Sequence, residues 1–177
     1  TDMTDSYGHF IAGSPRPGTS GRSAEVFNPS LGEVKASVAL ASAAEVAQTV
    51  ESARIAQLAW ADVNPQRRAR VMFAFKALVE KEADSLARLL SEEHGKVVAD
   101  SQGDLQRGLE VIEFACGIPH LLKGEYTEGA GPGIDVFSMR QPLGVVAGIT
   151  PFNFPAMIPM WMFGPAIACG NAFILKP

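Results

Sequence analysis

Zinc-type cysteine spacing, a histidine cluster, a basic excess and a glycine-rich phosphate loop are all missing from this sequence. Its 177 residues include two cysteines, Cys116 and Cys169, far apart and both in apolar surroundings. No CxxC or Cys/His spacing points to a metal, and His9, His94 and His120 are not spaced as ligands. So few cysteines argue against a disulfide framework, and a reducing cytoplasmic compartment is expected. The start, TDMTDSYGHF, is polar and acidic and lacks the basic and apolar regions of a signal peptide. Lysine and arginine number 15 against 19 acidic residues, a net charge of −4 that argues against a nucleic-acid binder. Apolar residues make up 47% and charged residues 19%, which is globular rather than disordered composition, on a chain long enough for a real core.

What is present falls into an ordered series. HFIAG reads as a short strand and SPRPGTSGRS as a loop. EVFNPSLGEVKASVAL alternates about a turn at Asn28–Gly32 and predicts a hairpin. A helical stripe follows at Ala43, Val46, Ala47, Val50, Ala53 and Leu58, opened by the capping-box pair Ser42 and Glu45. Asn64-Pro65 predicts the N-cap and first residue of a second helix. That helix points Val71, Phe75, Leu78, Val79, Leu86 and Leu90 inward, leaves Arg67, Arg68 and Arg70 in solvent and stops at Gly95. A third runs from about Val98 to Cys116 with Leu105, Leu109, Ile112 and Ala115 on one face. Its Gly103 and Gly108 mark either tolerance or the close approach of another element. Ile134–Met139 then reads as a strand. The order predicts an α/β fold, with helices followed by the start of a parallel sheet.

No charge occurs between Arg140 and Lys176, a run long enough to cross a bilayer. Pro151, Pro155, Pro159 and Pro165 weigh against a membrane helix, because each lacks a backbone donor. The run divides better into a buried strand over Gly144–Thr150, a helix over Ala156–Ala168 that Pro165 should kink, and a strand over Ala172–Leu175. Strand, loop, helix, strand is the opening of a dinucleotide-binding sheet, although GxGxxG itself is absent. Ligands of such sheets bind at the carboxyl ends of the strands, here Thr150–Pro155 and Lys176. Asn153 stands in that loop between two phenylalanines. Its amide N–H is suited to donate to an oxygen that turns negative during reaction; alternatively it bonds its own loop, as turn asparagines do. Lys176 is either solvated or a donor to ribose hydroxyls.

GVVAGITPFNFP, the apolar helix after it and GNAFILKP together resemble the aldehyde dehydrogenase superfamily. The order NPSLGEV, AQLAWA, PQRRARVMFAFKALVE, EEHGK matches as well, so the resemblance covers essentially the whole chain. RGLEVIEFACGIPHLLKGE with PFNFPAMIPMWMF is most similar to the CoA-acylating, methylmalonate-semialdehyde branch.

The resemblance implies an aldehyde dehydrogenase-like α/β fold, with N-terminal helices, the start of a Rossmann-type parallel sheet and an oligomerisation strand segment. Residues 1–123 would be the N-terminal part of the cofactor-binding domain, 124–141 strands that pair subunits into a homodimer or homotetramer, and 142–177 the first βαβ unit. It implies attack of a cysteine thiolate on the aldehyde, hydride transfer to NAD, and release of the acyl group to coenzyme A. Asn153 matches the residue that donates to the oxyanion. Lys176 matches the contact to the adenosine ribose, and Ile149, Thr150, Pro151 and Phe152 match the loop along the cofactor.

For an acidic aldehyde, Arg107 is the candidate partner of the substrate carboxylate, with a surface arginine as the plain alternative; Arg140 is a weaker candidate. The matching nucleophile, general base and pyrophosphate loop fall beyond Pro177. Cys116 and Cys169 are expected to be packing residues, and the 177 residues alone are expected to be inactive. A hydrolytic NAD(P)-dependent aldehyde dehydrogenase and a truncated, non-catalytic oligomerisation module remain the alternatives.

Overall fold

The computed structural model describes residues 5–177. The chain opens with β1 (Asp5–Tyr7), β2 (His9–Ile11), β3 (Ser14–Arg16), β4 (Ser23–Phe27) and β5 (Val34–Ala39). β5 lies between β1, to which it is parallel, and β4, to which it is antiparallel. The expected hairpin is therefore present. Asn28 builds its turn: Oδ1 accepts from the backbone N–H of Ser30 at 2.9 Å, and Gly32 takes φ 71°. The expected loop at SPR is instead β3, antiparallel to β2. Proline is admissible there because a two-stranded ribbon has an edge that needs no donor.

The helices are α1 (Ala43–Ala61), α2 (Pro65–Lys81), α3 (Ala83–His94), α4 (Val98–Cys116) and the short α5 (Ile118–Leu121). α1 opens with the Ser42/Glu45 capping box. The Ser42 backbone N–H, the Thr19 N–H and the Ser42 hydroxyl all donate to the Glu45 carboxylate, which lowers its pKa to about 2. Asn64 caps α2 through the N–H of Gln66, with Pro65 in the first turn. The single helix expected over residues 65–94 breaks at Glu82 into α2 and α3, and Gly95 ends α3 in the left-handed region. Val71 and Leu78, expected inward, are exposed; Val79 faces the core as expected, and Met72 joins it there.

α4 is the central helix. Leu105, Leu109 and Ile112 join Val79, Ala87 and Met160 in one apolar cluster, and Ala115 and Cys116 join Met72, Ile118 and Ala168 in another. After it come β6 (Tyr126–Gly131) and β7 (Ile134–Phe137), an exposed antiparallel ribbon, then β8 (Val145–Ile149), α6 (Met157–Ala168) and β9 (Ala172–Lys176). β8 and β9 pair in parallel from Val145–Ala172 to Ile149–Lys176. The uncharged run is thus strand, helix, strand. α6 stays continuous through Pro165, and its 12 residues span about 18 Å, against about 30 Å for a bilayer core. Among the described residues no helix is long and apolar enough to cross a membrane. β8 is only partly covered, with Ala147 and Ile149 open.

Glycine lets α4 and α6 touch. A Cβ on Gly108 would lie 2.7 Å from Met160 Sδ and 3.3 Å from Met157 Cα, whereas Gly103 has nothing within 4 Å. The far end of α6 is held by donors from other helices. Trp60 Nε1 donates to Ile167 O at 2.8 Å, Gln57 Nε2 to Gly170 O at 3.2 Å and Arg68 Nε to Ala168 O at 3.0 Å. These carbonyls belong to the last turn of α6 and to Gly170, two residues beyond it, where intrahelical donors run out. Arg68 also donates to Val63 O and Ala61 O and is 4% exposed, so it is not the solvated arginine its neighbours are. The apolar stripe expected to bury α1 stays open at Val46, Val50 and Leu58; α1 is anchored by Gln57 and Trp60 instead.

Candidate functional site

The loop between β8 and α6 carries Thr150 to Ala156. At its start the Thr150 N–H donates to Lys176 O at 3.1 Å, continuing the parallel ladder past Ile149. Ile149, Thr150, Pro151, Phe152 and Lys176 therefore share one edge, the carboxyl end of the two-stranded sheet. Ile149 is 77% and Phe152 85% exposed there. The Lys176 ammonium is exposed and donates to the Pro177 carbonyl at 2.6 Å.

Asn153 projects from the same loop. Among the described residues no hydrogen bond ties its carboxamide to neighbouring main chain. The reading in which it bonds its own loop is not what this geometry shows. Asn153 is exposed, although it stands in an apolar stretch, and Phe152 turns outward beside it. Asn153 lines a cleft of about 410 Å³ together with Phe154, His94, Lys96, Asp100, Asp104 and Arg107. Asn153 and Arg107, 46 positions apart in the chain, thus open on one cavity. Arg107 is held on α4, and its carbonyl accepts from Trp161 Nε1 at 3.2 Å, which ties that turn of α4 to α6.

The floor of the cleft was not legible as a site. Lys96 Nζ donates to Asp104 Oδ2 at 3.1 Å and to the Asn153 carbonyl at 2.9 Å, and it stands 4.9 Å from the centre of the Phe154 ring. Asp104 Oδ1 accepts the Met157 N–H at 2.6 Å and so caps α6 from another helix. The available signal was periodicity: Ser101 and Asp104 lie on the same stripe of α4 as Leu105, Gly108 and Ile112, which places a carboxylate on a buried face. Asn171 is a second such residue. Its Oδ1 accepts from the N–H groups of Leu143 and Gly144 and its Nδ2 donates to Ala166 O, locking the start of β8 to the end of α6.

Burial pushes both cysteine thiols up. Lys76 near Cys116 and Arg68 near Cys169 oppose the shift, but by less. Neither is an activated nucleophile, as a packing role requires. No group of three metal-ligating side chains occurs among the described residues.

A parallel strand pair joined by a helix, with an exposed loop at its carboxyl end, describes an α/β unit of the Rossmann type, and a cleft with one amide and one guanidinium opens beside it. The aldehyde dehydrogenase family model matches residues 16–177, and the chain belongs to that family. It is 50% identical over 169 residues to malonate-semialdehyde dehydrogenase of Pseudomonas aeruginosa, covering 96% of this chain and 34% of the relative. It is 46% identical to the acylating, mitochondrial methylmalonate-semialdehyde dehydrogenase of Arabidopsis thaliana, over 96% of this chain and 28% of that one. A crystal structure from Sinorhizobium meliloti, assigned as a methylmalonate-semialdehyde dehydrogenase and complexed with NAD, superposes with a TM-score of 0.97 at 62% identity, over 100% of this chain and 36% of that one. The chain spans about a third of the length of the curated relatives it matches.

Proposed function

We propose that these residues form the cofactor edge and the oxyanion donor of an NAD-dependent dehydrogenase that oxidises malonate or methylmalonate semialdehyde. The observation that carries this reading is the free carboxamide of Asn153 opening on the same cleft as Arg107, beside an uncovered sheet edge. The edge fits an extended dinucleotide. Ile149 and Phe152 present apolar surface, and Lys176 offers an ammonium to ribose oxygens. NAD supplies the hydride acceptor when bound. Asn153 donates its amide N–H to the aldehyde oxygen as that oxygen becomes negative, and Arg107 pairs with the substrate carboxylate at the other end. Coenzyme A as acyl acceptor rests on the acylating name of the Arabidopsis relative. The 124–141 segment, whose ribbon exposes Tyr126, Ile134, Val136 and Phe137, is proposed to pair subunits into a dimer or tetramer. The 177 residues alone are proposed to be inactive, because neither cysteine is activated.

The full-length enzyme tests this. Turnover of malonate semialdehyde should require coenzyme A; faster turnover of propionaldehyde without it would make the enzyme hydrolytic. Arg107→Leu should raise KM for the acidic aldehyde about 10-fold or more while leaving that for propionaldehyde nearly unchanged, as loss of a bidentate charge pair does. Equal changes for both would return Arg107 to the surface of α4.

A further inference from the structure

We infer that Lys96 and Asp104 are a positioning pair that aims the Asn153 amide, an inference that rests on the oxyanion role proposed above. Lys96 immediately follows the glycine that ends α3, and its side chain is 11% exposed although it carries a full charge. The Asp104 side chain is fully buried. The two are joined at 3.1 Å, and each then reaches a different point of one loop. Lys96 holds the carbonyl of Asn153 at 2.9 Å and lies against the ring of Phe154, while Asp104 holds the N–H of Met157 at 2.6 Å.

A cap for α6 needs the carboxylate alone. Ala156, at the N-cap position, has no side chain to offer, and Asp104 supplies the missing acceptor. The lysine does something further. By gripping the carbonyl of residue 153 it holds the peptide plane that follows Asn153, the anchor from which the Cα–Cβ bond carrying the amide projects. The carboxamide has no hydrogen bond of its own among the described residues, so this backbone grip is what orients it. The flanking residues do not compensate, since Pro151, Phe152 and Pro155 are all exposed and offer little packing. The ion pair draws the loop against the junction of α3 and α4 and against the wall that holds Arg107. Amide and guanidinium are thereby set at a fixed separation across the cleft. The pair lies on the floor of the cleft, away from the proposed cofactor edge. It acts through Asn153.

The test is a double-mutant cycle on kcat in the full-length enzyme, with NAD and malonate semialdehyde. Lys96→Met should lower kcat about 10-fold or more, since small misplacements of a reacting group are costly, and leave the dissociation constant for NAD nearly unchanged. In an Asn153→Ala background the same substitution should cost less than about 2-fold, because there is no amide left to aim. Asp104→Asn keeps an acceptor for Met157 but takes away the anionic partner of Lys96. It should show the same dependence on Asn153 with smaller losses, and it replaces Lys96→Met in the cycle if thermal melting shows that variant unfolded. Equal fold-losses in both backgrounds would make the pair a stability element only and overturn the inference. So would an unchanged kcat in the single variants while Asn153→Ala is impaired. A fully active Asn153→Ala would instead sink the oxyanion role itself.

Discussion

Arg68 shows how little a residue's type says about its place. It stands in the run QRRAR, where all three arginines read as solvated, yet only Arg68 reaches across to α6 and the α1–α2 turn. Burial lowers its pKa, and three backbone carbonyls, with no carboxylate partner among the described residues, hold its charge. Arg68→Met should therefore cost about 2–4 kcal/mol of stability, as loss of charge-assisted bonds with carbonyls left unmet does. Arg67→Met should stay within about 0.5 kcal/mol. Matched denaturation curves check both, and equal midpoints would show that Arg68 contributes nothing special. Asn153 drew notice for the opposite reason: an amide set between two phenylalanines in an uncharged run is an anomaly that demands an explanation. Lys96 was not legible, because a lysine after a helix-ending glycine is ordinarily in solvent. Only the fold brings Asp104 and the 150–156 loop to it.

At the scale of elements, periodicity found α4 with both ends correct and found which face it buries. It failed on α1, whose stripe is real but faces outward, and on the break at Glu82, where a continuous pattern hides a change of direction. The strand at Ser14–Arg16 was hidden by its prolines, since edge pairing tolerates what the pattern treats as a loop. The glycine question on α4 has a definite answer at Gly108 and a different one at Gly103. Gly108→Val should force α4 and α6 apart and cost about 1–3 kcal/mol, because Met157 backbone lies beside the new Cβ and only the Met160 thioether can move. Gly103→Ala should be neutral or stabilising by up to about 1 kcal/mol, through helix propensity. Thermal melts of the two variants separate these outcomes; equal destabilisation would mean that close approach is not what Gly108 serves. The same displacement would move the N-terminus of α6, and with it the loop that carries Asn153.

At the scale of the whole molecule, the fold class and the candidate residues Ile149 to Asn153 and Lys176 were read together because one strand–loop–helix–strand unit carries them. The uncharged run from Gln141 to Leu175 reads by hydropathy alone as a membrane segment. Its prolines and its two short strands make it a sheet pair with a covering helix instead. What the sequence could not supply was convergence: α3, α4 and the β8–α6 loop meet at one cleft, so residues from 94 to 154 share its walls. The chain covers about a third of its curated relatives. The proposed reaction therefore has to be measured on the full-length enzyme, where the contribution of these walls is read as a difference between variants. The most direct measurement is the rate of the first NADH burst in Asn153→Ala against the unaltered enzyme, at saturating NAD and malonate semialdehyde. A fall of about 10²–10³-fold with NAD affinity nearly unchanged is the predicted result, the size expected for loss of one oxyanion donor. A burst at near-normal rate would contradict it and leave Asn153 as an ordinary loop residue.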